Sequence, residues 1–302
     1  MDDVRFDGRV AVVTGAGGGL GRAHALLLAQ RGAKVVVNDL GGNPDGTGAG
    51  ISMADQVVEE INSAGGEAVA NYDSVDTWNG GEAIVRAAVD AFGKLDICIC
   101  NAGILRDRTI AKMTDEEYAR VIQVHLNGTW YVARAAVPRM RENAYGRIVF
   151  TSSGAGLFGN FGQTNYSAAK MGIVGLMLAL KLEVEKYGIL VNTISPVAAS
   201  RLLGTIMDED TMQAYDPHFV SVMVAYLVSE QNTETGGIYM AGGGQFGMAQ
   251  MVANQGIVLK DASQLTIEQV AARIDEIRDM YDAEHFASAL ARRDARLQNE
   301  NS

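Results

Sequence analysis

Seven short runs of β-branched and other apolar residues recur along the chain, and segments of helix length separate them. The runs are RVAVVT (9–14), KVVVND (34–39), EAVANY (67–72), LDICIC (95–100), GRIVFT (146–151), ILVNTIS (189–195) and GIYMA (237–241). Helix-length amphipathic segments fall near 20–31, 51–64, 77–92, 115–142, 164–187 and 217–229. Strands that are apolar throughout have no face to offer to water. They call for a parallel sheet covered on both sides, with the intervening helices as crossovers.

The chain therefore reads as α/β, with a doubly wound parallel Rossmann-type sheet of about seven strands over residues 1–250. In such a sheet the ligand sits beyond the carboxyl ends of the strands. Residues 251–302 follow the last strand and read as a helical extension, with polar, charged helices around 266–280 and 283–297. Two segments break the rhythm. LGGNPDGTGAG (40–50) is glycine-rich and should be mobile or wrap something, and 196–216 is placed to act as a lid over the site.

Charge and composition remove several function classes. A formal net charge of −11 argues against a nucleic-acid partner, which needs a basic footprint. No window holds a membrane-length apolar run, so no membrane span is expected. The N-terminus MDDVRFDGRV has no basic-then-apolar leader and the final QNENS is not a peroxisomal address, which gives a cytoplasmic expectation. Cys98 and Cys100 lie two apart on a strand, with Cα atoms ~7 Å apart on one face, too far for a comfortable disulfide. With no histidine cluster nearby they make a poor zinc site, and no metal is expected.

The first strand runs into Thr14-Gly15-Ala16-Gly17-Gly18-Gly19-Leu20-Gly21, where a helix begins. Glycines there permit a tight turn and let a pyrophosphate reach the helix N-terminus, although many helices follow glycines for packing alone. Asp39 ends the second strand, 18 residues after Gly21, where a carboxylate can accept from ribose hydroxyls. It would repel the 2′-phosphate of NADP by about 4 kcal/mol per unit-charge pair at ~4 Å and an effective dielectric of ~20. NAD is the expected cofactor. Farther on, Tyr166 and Lys170 stand one helical turn apart, thirteen residues after Ser153 at the end of the fifth strand. A nearby ammonium and the positive nicotinamide both favour the phenolate of a tyrosine, and a hydroxyl at a strand end can orient a substrate oxygen.

The glycine turn, Asn101-Ala102-Gly103, Ser153 and Tyr166-x-x-x-Lys170 together resemble the short-chain dehydrogenase/reductase family over about residues 8–245. The resemblance implies Tyr166 as general acid/base and Lys170 as the residue that holds the nicotinamide ribose and depresses the tyrosine pKa. It implies Ser153 as the substrate-orienting hydroxyl. Thr14, Gly15, Gly19, Leu20, Gly21, Asn101, Ala102 and Gly103 would line the cofactor, with Asp73 and Ser74 beside the adenine. Pro196, Ala198, Ala199 and Ser200 would face the carboxamide. One position departs from the pattern: the family asparagine of V-N-L-x-G is His125 in Val124-His125-Leu126-Asn127-Gly128. It either holds the water that the asparagine would serve or is a satisfied core residue.

The segments VVNDLGG, ANYDSV, NAGILRDR, VHLNGTW and GNFGQTNYSAAK are similar, more narrowly, to the dehydrogenase portion of peroxisomal multifunctional enzyme type 2, or 17β-hydroxysteroid dehydrogenase type 4, and its bacterial single-domain relatives. That resemblance implies NAD-dependent oxidation of a (3R)-3-hydroxyacyl-CoA. The alternative is a 17β-hydroxysteroid dehydrogenase acting on a free steroid or a sterol side-chain CoA ester. It also implies a homodimer or homotetramer formed through the helices near 115–142 and 164–187. Leu202, Leu203, Ile206, Met207 and Met212 would line an adaptable apolar pocket. Arg106, Arg108 and Arg201 are candidates for CoA phosphates, with surface salt bridges as the alternative.

Overall fold

A computed structural model describes residues 3–43, 45–48, 52–197, 216–259, 261–263 and 265–300. Eight strands form the main sheet: β1 (Val10–Thr14), β2 (Lys34–Asn38), β3 (Glu67–Asn71), β4 (Ile97–Cys100), β5 (Gly146–Thr151), β6 (Ile189–Pro196), β7 (Ile238–Gly242) and β8 (Gln245–Ala249). Their order is β3-β2-β1-β4-β5-β6-β7-β8. Every pairing from β3 to β7 is parallel, with Val12 of β1 opposite both Val36 and Cys98. The order reverses between β1 and β4, which opens a crevice at their carboxyl ends.

Alternation along each strand sends residues to two dry faces. Ala11, Val13, Val35, Val37, Ile97 and Ile99 join one core cluster with Leu28 of α1 (Gly19–Gln30), Val57 of α2 (Ser52–Ser63) and Val224 of α8 (Pro217–Val228). Val10, Val12, Val36 and Cys98 are equally buried on the other face. There α3 (Trp78–Phe92), α5 (Gly128–Glu142) and α7 (Thr164–Val184) pack against the sheet. Both cysteines are buried free thiols, their sulfurs 3.9 Å apart.

The main sheet and its helices depart from expectation in three places. The sheet has an eighth strand, joined to β7 by Gly243-Gly244; a two-residue connection makes it a hairpin partner. The helix expected over 115–142 is α4 (Asp115–Ile122), a π-turn (Gln123–Asn127) and α5 in succession. A short α6 (Gly154–Phe158) lies between β5 and α7.

The chain divides into two compact units, Met1–Met248 and Ala249–Ser302. In the second, the helix expected over 266–280 is two short ones, Ile267–Ala272 and Ile274–Arg278, interrupted at Arg273. The expected 283–297 helix starts later, at Ala289, because Glu284–His285 pairs antiparallel with Val252–Ala253.

Candidate active site

The turn after β1 depends on glycine at two close approaches. A Cβ on Gly15, where φ is +64°, would stand 2.7 Å from the Ala102 Cα, and one on Gly21 would stand 2.1 Å from the Gly15 carbonyl oxygen. Gly19 has φ +52° and nothing near its Cβ position, so this side of the turn is open. The N-cap of α1 is Gly18, which offers no side-chain acceptor, and the first turn carries no acid. By contrast α3 and α4 are capped by Thr77 and Thr114. The first amides of α1, the positive end of its dipole, are therefore left without a side-chain cap. An end of this kind can seat a pyrophosphate.

Side chains fix the floor of this seat. The Thr14 hydroxyl accepts from the amides of Asn101 (3.0 Å) and Ala102 (3.1 Å), and Asn101 Nδ2 donates back to the carbonyls of Thr14 and Gly15. Asn38 Nδ2 donates to the Asp73 carbonyl, which ties β2 to the segment beyond β3. Asp39 accepts from the amides of Gly17 and Gly41, each at 2.7 Å. A cleft of about 250 Å³ runs over these residues. Gly15, Gly19, Leu20, Asp39, Asp73, Ser74, Asn101, Ala102 and Gly103 line it. Thr14 and Gly21 support it from behind. Leu40, Gly42, Asn43, Gly46 and Gly48 form part of its wall, so the glycine-rich segment does wrap the cleft.

Arg120 also lines the cleft, paired with Asp76, and no sequence motif pointed to it. Its only sequence signal is a place on the exposed side of an amphipathic helix, which many surface arginines share. Pro196 ends β6. Ala198, Ala199 and Ser200, together with Arg201 and the apolar residues expected in the 196–216 lid, lie outside the described residues.

Beyond Gly103 the chemistry changes from backbone amides to titratable side chains. Lys170 is buried on α7 and donates from Nζ to the Thr151 carbonyl at 2.7 Å; burial lowers its pKa to about 7. Its Nζ stands 5.5 Å from the centre of the Tyr166 ring. Burial raises the Tyr166 pKa, a hydrogen bond from the Ser153 side chain opposes this, and the charge of Asp107 adds to it. The expected depression of the phenol by Lys170 is thus not what the chain alone produces. The interior that desolvates the phenol also desolvates the ammonium, so burial raises the one pKa and lowers the other.

His125 sits in the π-turn, a helix irregularity frequent at functional sites. Its ring meets the Tyr166 ring edge to face at 5.1 Å. Nε2 lies 2.7 Å from the Ile104 carbonyl oxygen and 3.0 Å from the Ile104 amide, while the buried Nδ1 has no partner among the described residues. Burial first, and then the Lys170 charge, lower its pKa to about 3, so the ring is neutral. A Cβ on Gly103 would stand 2.3 Å from its Cε1, so Gly103 is glycine to admit the imidazole. Arg106 pairs with Glu116 and Arg108 with Glu117, both at 3.0 Å. These are the salt bridges that competed with a CoA-phosphate role.

The model of the short chain dehydrogenase family matches residues 9–210. The chain is a short-chain dehydrogenase. Among curated relatives of this dehydrogenase, a short-chain type dehydrogenase/reductase of Mycobacterium tuberculosis is 50% identical over 275 residues, 91% of this chain and 96% of the relative. Mouse peroxisomal multifunctional enzyme type 2 is 48% identical over 281 residues; the match takes 93% of this chain but only 38% of that protein. A hydroxyacyl-CoA dehydrogenase of M. tuberculosis is 38% identical over 250 residues, 77% of this chain and 76% of that one. Among solved structures, full-length peroxisomal multifunctional enzyme type 2 of Drosophila melanogaster superposes with a TM-score of 0.82 at 38% identity, covering 98% of this chain and 50% of that chain. A 7α-hydroxysteroid dehydrogenase complexed with NADH and 7-oxo glycochenodeoxycholic acid superposes at 0.71 with 25% identity, over 80% of this chain and 95% of that one. This dehydrogenase is an oxidoreductase that uses a nicotinamide cofactor. Among its described residues no helix is long and apolar enough to cross a membrane.

Proposed function

We propose that the protein oxidises a (3R)-3-hydroxyacyl-CoA to the 3-ketoacyl-CoA with NAD. One observation carries the chemistry: the Ser153 side chain hydrogen-bonds Tyr166, and Lys170 Nζ stands 5.5 Å from the Tyr166 ring. A bound oxidised nicotinamide would supply the hydride acceptor. The chain's own residues handle the proton. The Ser153 hydroxyl orients the substrate oxygen, and Tyr166, its own proton first given up to solvent, takes the alcohol proton on Oη. Lys170, fixed by the Thr151 carbonyl, supplies charge beside the phenol as it ionises. His125 acts as a positioning residue through the backbone of Ile104. Asp39 favours NAD, since its carboxylate stands in the cleft wall where a 2′-phosphate would be repelled.

The thioester reading rests on the similarity to a hydroxyacyl-CoA dehydrogenase and to the multifunctional enzymes. The catalytic domain is assigned to residues 1–250, with 251–302 as an extension. The cytoplasm is assigned from the likeness to a bacterial relative of matching length. A homodimer or homotetramer is supported by an outward apolar stripe on α7, where Met171 and Leu182 are exposed and Gly175 has open space at its Cβ position. The test is a turnover panel with NAD: (3R)- and (3S)-hydroxyacyl-CoAs, a sterol side-chain CoA ester, the N-acetylcysteamine thioester and oestradiol. The (3R)-CoA ester should exceed its truncated analogue in kcat/KM, because remote binding energy positions the hydroxyl. Equal efficiency with the truncated ester, or preference for oestradiol, overturns the thioester reading.

A further inference from the structure

The glycine-rich segment after β2 does more than line the cleft. It braces itself, with the Gly46 amide donating to the Asn43 carbonyl (2.9 Å) and the Asn43 amide to the Thr47 carbonyl (2.7 Å). Its tip then meets the segment after β4 from across the crevice. Arg106 Nε donates to the Asp45 carbonyl at 3.0 Å, and a Cβ on Gly46 would stand 3.0 Å from Ile104 Cδ1, so the Gly46 backbone lies close over that side chain. Gly42, Asn43 and Gly46 line one side of the cleft and Gly103 and Ile104 the other. The two contacts therefore close a loop of chain around it.

The platform under this contact is anchored to the catalytic machinery. The backbone of Ile104 is held by His125, whose ring packs on Tyr166. The Arg106 carbonyl accepts from Nδ2 of Asn165, which is fully buried and immediately precedes Tyr166. The Arg106 side chain is 17% exposed and its Nη1 is also paired to Glu116, an 84% exposed partner. A buried platform, a charged donor on a backbone acceptor and a glycine seated on an isoleucine make a latch rather than a chance surface contact.

We propose that Arg106 and Ile104 are positioning residues that latch the segment carrying Gly42, Asn43, Asp45 and Gly46 across the cofactor cleft and so set the rate of NADH release. The inference rests on the reading of this cleft as the dinucleotide site. A hydrogen bond donated by a charged group to a carbonyl is strong enough that its loss changes an equilibrium by roughly tenfold, and such losses appear mainly in dissociation.

The experiment is stopped-flow displacement of NADH from the full-length protein, followed by nicotinamide fluorescence, with KM for the acyl-CoA measured alongside. Arg106→Ala should speed release about tenfold. Arg106→Lys should restore part of the retention, because a single ammonium can reach the Asp45 carbonyl. Ile104→Ala should also speed release. Glu116→Ala should leave release within about twofold, since an exposed ion pair contributes little. Release unchanged in Arg106→Ala while NADH still binds overturns the latch. A raised KM for the thioester with unchanged NADH release also overturns it, and returns Arg106 to the substrate. Wild-type protein that binds no NADH overturns the dinucleotide reading itself, and the latch with it.

Discussion

Acidification tests the interior of this fold directly, because two of its histidines are buried and neutral. His24, on α1, is 1% exposed, and His125 is 2% exposed. Burial lowers the pKa of each to about 3. The Ser221 hydroxyl donates to the Pro217 carbonyl, so it accepts from Nδ1 of His24 at 2.8 Å, and the buried Nε2 is an acceptor with no partner among the described residues. A proton added there gains no hydrogen bond. The sign follows: the unfolded chain binds these protons near pH ~6.5 and the native fold only near ~3, so stability is complete above ~6.5 and is lost as pH falls toward ~3. At about pH 5 each ring costs roughly 2 kcal/mol relative to neutral pH, and the pair about 4. Carboxylates with lowered pKa values, such as Asp7 and Asp76, add their loss at lower pH, which makes about pH 5 the diagnostic point. Urea unfolding at about pH 7.5 and 5 measures the loss. His24→Gln should lose about 2 kcal/mol less than wild type over that interval, whatever its stability at neutral pH. An equal loss in variant and wild type would refute the neutral, buried imidazole.

Tyr166→Phe should reduce turnover by at least 10²-fold while NADH binding stays within a few-fold, because it removes the proton acceptor and leaves the cleft intact. Retention of more than about a tenth of the activity would displace Tyr166 from that role. Asp39→Ser with Leu40→Arg should shift the ratio of kcat/KM values toward NADP. Both cofactors should weaken, since the carboxylate also holds the amides of Gly17 and Gly41. An unchanged ratio would move discrimination elsewhere in the cleft wall. His125→Asn should keep substantial activity through an amide that can still bond the Ile104 backbone, whereas His125→Leu should lose far more. Equal rates for Leu and wild type would reduce His125 to packing.

The parallel sheet was legible because its strands are buried on both faces, so each reads as an unbroken apolar run such as VAVV or VVVN. β8 escaped for the opposite reason. Gln245, Phe246 and Met248 are exposed and Gly247 interrupts the run, so nothing marks it as a strand except its partner β7. The glycine turn and the Tyr166–Lys170 pair were visible because helix geometry fixes residues four apart. The tie between Asp39 and Gly17 joins residues 22 apart through a backbone amide, which no side-chain pattern announces. The direction of the Tyr166 pKa in the chain alone is not legible from neighbours in sequence. Spacing places an ammonium near the phenol, but only the packed interior reveals how much solvent both have lost.

The π-turn at Gln123–Asn127 has a consequence for which edits this chain can survive. A π-turn holds one residue more than an α-turn, and each residue advances a helix by about 100°. Val121 of α4 and the buried stripe Val132, Ala136 and Met140 of α5 therefore belong to helices that are out of phase by that angle. Deleting a single residue here would let the backbone ladder close into ordinary α-helix with no unsatisfied amide. The same deletion would wind α5 through about 100° and lift that stripe off the sheet. Local hydrogen bonding favours the shorter chain, and the core forbids it. The extra residue that gives His125 its place is kept by the rotation it imposes on everything downstream.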